Sequence, residues 1–151
     1  MSRIKELQKY VHHVLEGNEK EAKQIAHLHG VALAAAILAR KRGENAELAT
    51  MAGLLHDLYA YKEGSYEDHA RRGADYAEKV LRKLELTSPE ETEIICTAIR
   101  NHDSKDEVNA PMDEILKDAD VLHHSLGDPT GGVNEHEKER YAALCAELGL
   151  E

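Results

Sequence analysis

The sequence predicts an all-α fold, one domain over residues 1–151 built as a bundle of about six to seven helices. Three observations predict it. Apolar residues recur at helical spacing along most of the chain, and no segment shows the period of two of a half-buried strand. Helix start and stop signals fall between the periodic stretches. At 151 residues, 42 % of them hydrophobic, the chain suits one core.

Taken in order, Ile4, Leu7, Val11 and Val14 stripe an N-terminal helix over about 2–16, ended by Gly17-Asn18. A second helix runs from about Glu19 to Lys41 and stops at Gly43, with His27, Val31, Ala34 and Leu38 on one face. A third, from about Asn45 to His56, turns Leu48, Ala52 and Leu55 inward, and 59–64 reads as a loop. Ser65-Tyr-Glu-Asp68 resembles a capping box opening a fourth helix, on which His69, Gly73, Tyr76 and Val80 align. Ser88-Pro89-Glu90-Glu91 starts a fifth, because Ser caps free amides, Pro suits the first turn and acids suit the positive helix end. That helix sets Ile95, Ala98 and His102 on one face, and 103–110 is a polar loop. A sixth, about Met112 to Ser125, aligns Leu116, Asp120 and His124 before a Gly- and Pro-bearing break at 127–132. Asn134-x-x-Glu137 caps a C-terminal helix over 134–148.

Composition narrows the function classes. Phe and Trp are absent, so Leu, Ile, Val and Ala build the core, with six Tyr at its margins. With 29 acidic against 19 basic residues, net −10, an extended nucleic-acid surface is not expected. The two cysteines, Cys96 and Cys145, are read as reduced thiols. No signal-peptide stretch opens the chain, and no run approaches the ~18 apolar residues of a membrane span. The expected setting is cytoplasmic, without membrane contact, as monomer or homodimer.

The informative pattern is the order His27, His56-Asp57, His69, His102, Asp120. His27, His69, His102 and Asp120 lie in line with core residues on four different helices. A buried carboxylate without a compensating charge is costly. A divalent cation bound by imidazole and carboxylate supplies that charge and activates water at neutral pH.

The chain resembles the HD-domain superfamily of metal-dependent phosphohydrolases over about 26–125. His27-Leu-His-Gly-Val31-Ala32, Ala52-Gly-Leu-Leu-His56-Asp57 and Lys117-Asp-Ala-Asp120-Val-Leu122 match its principal motifs. His69-Ala-Arg-Arg-Gly73-Ala74 and Ala98-Ile-Arg-Asn-His102-Asp103 look like the extra histidine motifs of two-metal members. The family pattern selects His27 over the alternative His29, and Asp120 over Asp118. The resemblance implies a first metal on His27, His56, Asp57 and Asp120, and a second on His69 and His102 with Asp57 bridging. One or two ions of Mn, Fe, Co, Ni, Zn or Mg suit these donors, although the imidazole content disfavours a purely Mg site. The cyclic-dinucleotide-hydrolysing branch carries His-His where this chain has Asn101-His102, and it carries a GYP motif that this chain lacks. His123 or His124 is then a candidate for a missing ligand.

The resemblance implies hydrolysis of a phosphoester or phosphoanhydride in a small nucleotide or related metabolite. Asp57 would orient the attacking water, and Lys62, Arg71, Arg72 and Arg100 are candidate phosphate contacts, with Lys62 and Arg100 assigned to the catalytic set. Two other readings use the same ligands: a di-iron oxygenase, and a nucleotide- or metal-sensing module without turnover.

Overall fold

The computed structural model describes residues 1–150. These form α1 (Arg3–Leu15), α2 (Glu21–Arg42), α3 (Ala46–Leu55), α4 (Leu58–Glu63), α5 (His69–Leu84), α6 (Pro89–Asn101), α7 (Pro111–Leu126), a 3-10 turn (Glu135–Glu137) and α8 (Lys138–Leu148), with no strand among the described residues. Local chemistry sets the starts. Ser2 accepts from the Lys5 amide, Asn45 from the Leu48 amide, and Ser88 and Glu91 form a reciprocal box at the head of α6.

Three local expectations change. Residues 58–63 are helical rather than loop, burying Leu58 and Ala60 and opening on the bond from Tyr61 N–H to Asp57 O. Six residues are too few to show a helical period. Ser65 does not cap α5, since its hydroxyl accepts from the Glu67 amide and the helix opens only after Asp68, at φ 50. Asn134 does not cap α8 either: it donates to Glu137, whose side chain is buried.

α3 lies at the centre and is buried on every side, from Leu48 to Leu55. α2 crosses it closely. A Cβ on Gly53 would stand 2.7 Å from Ala32 Cα, so the crossing requires glycine on α3 and a small residue on α2. That contact brings His27, one turn before Val31, beside His56, three residues after Gly53. By length and composition α2 passes as a membrane span, contrary to the sequence expectation. In the fold its apolar face, Leu28, Val31, Ala35 and Leu38, packs on α3 and α7.

The termini close over this centre. α1 buries Leu7, Val11 and Leu15, and its Arg3 reaches Glu47 and Glu91. α8 buries Leu144 against the bundle, and Arg42 and Arg140 tie α2, α7 and α8 through Asp118, Glu114 and Glu147. Both cysteines are free thiols.

Candidate metal centre

His27 comes from the N-terminal third of α2, His56 and Asp57 from the α3–α4 junction, and Asp120 from the middle of α7. All four are brought to one point. His27 Nε2 stands 3.2 Å from His56 Nε2, 3.1 Å from Asp120 Oδ1 and 3.5 Å from Asp57 Oδ2. His56 Nε2 is 3.3 Å from each carboxylate. A second group forms on the other oxygen of Asp57, whose Oδ1 lies 3.7 Å from His69 Nε2 and 3.4 Å from His102 Nε2. Within each group the ligand atoms all lie within 4.8 Å of one another. Asp57 faces both groups, one oxygen to each.

The ring nitrogens pointing away from the centre are engaged. His56 Nδ1 pairs with Gly53 O at 2.7 Å, His69 Nδ1 with Tyr66 O at 3.0 Å and His102 Nδ1 with Ile99 O at 2.6 Å. Each ring therefore donates from Nδ1 to a carbonyl three residues earlier and turns its Nε2 towards the centre. This is how protein groups behind a metal-binding histidine fix its tautomer and direction.

The donor set fits a divalent ion. Asp57 Oδ1 and Asp120 Oδ1 are buried and have no hydrogen-bond partner. They face imidazole nitrogens without the alignment of a hydrogen bond, so these two open oxygens suit a bound cation. Burial opposes ionisation of both carboxylates. The surrounding imidazoles outweigh it, and both are held well below the usual carboxylate range. Burial likewise lowers the His56 pKa, but Asp57 and Asp120 outweigh it and push it up to about 10 in the metal-free chain. For His56 to serve as a ligand, that proton would have to leave Nε2.

Two charged residues that sequence reasoning did not single out complete the centre. Lys105, almost buried, donates to Asp120 Oδ2 at 2.8 Å and stands 3.6 Å from Glu137. Glu137, 1 % exposed, accepts from His124 Nδ1 at 3.0 Å. His124 stacks on His27 with ring centroids 5.3 Å apart, and its Nε2 is 3.4 Å from Asp120. Glu137's hydrogen bond, opposed by burial and aided by Asp120, raises the His124 pKa. Lys105 lies in a loop without pattern, and Glu137 read as a cap, so neither carried a signal. His123 does not join the ligand groups; its Nδ1 meets His27 Nδ1 at 2.8 Å.

The expected phosphate contacts are not brought here. Lys62 pairs with Glu63 and lies over the Tyr76 ring, while Arg71 pairs with Asp68 and Asp75. Arg72 and Arg100 are exposed, and none of the four lines the cavity above the centre. That cavity measures 740 Å³, with Lys20, Lys23, Lys105, Tyr61 and Tyr66 among its walls. Helix starts and loops, rather than the motif-flanking arginines, supply its cations.

Comparison with known proteins identifies the family and the fold. The HD domain family model matches residues 25–125. A crystal structure described as a predicted HD superfamily hydrolase, from an uncultured Thermotogales bacterium, superposes with a TM-score of 0.69. It is 22 % identical, over 98 % of this chain and 90 % of that one, and shares the fold. No curated protein matches the sequence. With the family model covering the helices that carry His27, His56-Asp57, His69, His102 and Asp120, the chain belongs to the HD-domain family.

Proposed function

We propose that this protein is a metal-dependent phosphohydrolase acting on a phosphoester or phosphoanhydride of a small, nucleotide-sized metabolite. The observation that carries the reading is Asp57, shared between two histidine groups on the floor of a cavity with three lysines in its walls. The cavity volume of 740 Å³ lies within the range of about 300–1,000 Å³ usual for small-molecule sites. His27, His56, Asp57 and Asp120 would hold one divalent ion, and Asp57, His69 and His102 a second. A bound ion supplies an acidified water and neutralises charge on phosphoryl oxygens.

The chain's own residues do the rest. Lys105 stays charged, because Asp120 and Glu137 outweigh the effect of burial on it, and it brings a cation to the cavity floor. Lys20 and Lys23, at the start of α2, offer positive charge at the wall for phosphate groups further from the reacting bond. Tyr66, 60 % exposed and 5.4 Å from the His69 ring, presents a flat face on which a base can stack. Tyr61 packs nearly perpendicular to Tyr66, with ring centroids 6.4 Å apart.

The test is a screen of nucleoside mono-, di- and triphosphates and sugar phosphates with Mn²⁺, Co²⁺, Ni²⁺, Zn²⁺ and Mg²⁺. The expected result is phosphate release that a chelator abolishes. No release from any substrate by protein with verified metal content overturns the reading. Tight nucleotide binding without release identifies a sensing module instead. The carboxylate shared by two histidine groups also suits a di-iron oxygenase, and oxygen uptake by iron-loaded protein would mark that chemistry.

A further inference from the structure

His69, His56 and His102 share a device that His27 cannot use. Each lies at a helix start or end, where its Nδ1 reaches the carbonyl three residues earlier. His27 sits inside α2, where neighbouring carbonyls are committed to the helix's own hydrogen bonds. An imidazole there has no backbone acceptor to fix its tautomer.

We propose that His123 fills that role, as the positioning residue that accepts the Nδ1–H of His27 and so holds the His27 Nε2 lone pair on the metal. The inference rests on the metal centre proposed above. The two Nδ1 atoms are 2.8 Å apart, and the ring centroids 4.8 Å. For His27 to present a bare Nε2, its proton must be on Nδ1. His123 then accepts through an unprotonated Nδ1 and carries its own proton on Nε2. His123 is no ligand itself, because that nitrogen is spent on His27 and the residue stands outside both ligand groups.

Two glycines make room for the ring. A Cβ on Gly30, one turn along α2 from His27, would stand 2.5 Å from His123 Nε2. A Cβ on Gly127, the C-cap of α7, would stand 2.6 Å from the His123 carbonyl oxygen and 2.9 Å from the same ring atom. Neither glycine has a positive φ, so neither is there for its backbone conformation. Inside a helix, glycine is less favourable than alanine, so Gly30 carries a stability cost. What that cost accommodates is the His123 ring, seated against His27 from behind.

The test compares three variants with wild type by Co²⁺ titration and, in metal-free protein at alkaline pH, by the ¹⁵N shifts of the His27 ring. His123→Phe fills the slot without an acceptor, His123→Asn keeps an acceptor oxygen near the place of Nδ1, and Gly30→Ala keeps the histidine but displaces it. His123→Phe and Gly30→Ala should weaken Co²⁺ binding about 10–100-fold, and His123→Asn by no more than about threefold. The His27 ring should read as the Nδ1–H tautomer in wild type and His123→Asn, and as a mixture in the other two. A His123→Phe protein that binds Co²⁺ like wild type with an unchanged His27 tautomer overturns the proposal. So does a His123→Asn protein as impaired as His123→Phe. Wild type that binds no Co²⁺ defeats the metal reading instead, and the tautomer in metal-free protein still decides whether His123 directs His27.

Discussion

Asp118 and Asp120 are two buried carboxylates, two residues apart on α7, and they lead opposite lives. Both are nearly sealed from solvent, at 7 % and 3 % exposed. A separation of two turns them to opposite sides of the helix. Asp118 meets two permanent cations, Oδ1 on Arg140 at 2.9 Å and Oδ2 on Arg42 at 2.8 Å. Asp120 has Lys105 on Oδ2 and leaves Oδ1 without a hydrogen bond among His27, His56 and His124. Guanidiniums close a carboxylate for good. Imidazoles can give up a proton and accept a metal, so the open oxygen could serve an ion, while the closed pair joins α2, α7 and α8.

The largest expected effect breaks the open side. Asp57→Ala removes one of two carboxylates from the first ligand group and the sole carboxylate from the second, so metal content and hydrolysis should both fall to background while helical circular dichroism persists. An Asp57→Ala enzyme retaining most of its rate rules the centre out. His69→Ala and His102→Ala should each lose one equivalent of metal and keep the other. If both keep wild-type stoichiometry by elemental mass spectrometry, the second group holds no ion.

Metal removal comes next. A chelated protein leaves Asp57 and Asp120 facing each other with only imidazole between them. Ligand linkage sets the scale, about 2.7 kcal/mol at a free-metal concentration a hundred times Kd. Chelation should therefore lower the melting temperature of wild type and leave that of Asp57→Ala unchanged. Because metal entry displaces the proton that Asp57 and Asp120 hold on His56, metal affinity should rise with pH from neutrality towards the His56 pKa of about 10. A pH-independent affinity over that range contradicts a protonated His56 in the metal-free chain.

Asp118→Ala sharpens the comparison from the closed side. It strands Arg42 and Arg140, which retain Glu147 and Glu114. The pair is only partly exposed, so the cost falls between that of a buried and a surface ion pair, about 2–3 kcal/mol by urea denaturation. Metal stoichiometry should not change. A variant that lost metal would show that the two aspartates do not act separately.

How much of this could be read from the sequence depends on whether a residue's place is set locally. His27, His102 and Asp120 fall on helical stripes with core residues, so periodicity alone turned them inward. The spacing of the HD motifs chose Asp120 over Asp118, and the guanidiniums on Asp118 give that choice a physical reason. Lys105 and Glu137 reach the centre through loop paths fixed only by tertiary packing, and no local period reports such a path. Lys62 and Arg100 were favoured for standing near motifs in sequence, yet one residue along a helix rotates a side chain by about 100°. Helix α4 was missed because six residues hold less than two turns. His123 was visible as a histidine beside His124, but its role depends on Gly30, which lies on another helix.

The smallest expected effect lies far from the centre, where Arg3 clamps Glu91 at the head of α6. Both guanidinium nitrogens donate to the two carboxylate oxygens, at 2.9 and 2.8 Å, and the Ser88 amide donates to Oε1 as well. Arg3's hydrogen bonds, then the Ser88 backbone, lower the Glu91 pKa to about 2. The folded state thus binds this proton less tightly than the unfolded chain, where an ordinary glutamate titrates near 4.3. The stabilisation is then fully present above about pH 4.3 and is lost as pH falls towards 2. Solvent reaches a quarter of each side chain, so screening limits the contribution to about 1 kcal/mol. Glu91→Gln should flatten the fall in melting temperature over that acid window and leave metal content and hydrolysis at neutral pH as they were. An unchanged acid profile would mean that the clamp on α1 and α6, unlike the one on Asp118, holds no net stability, and that buried Leu7, Val11 and Leu15 and the remaining contacts of α1 keep the N-terminal helix in place.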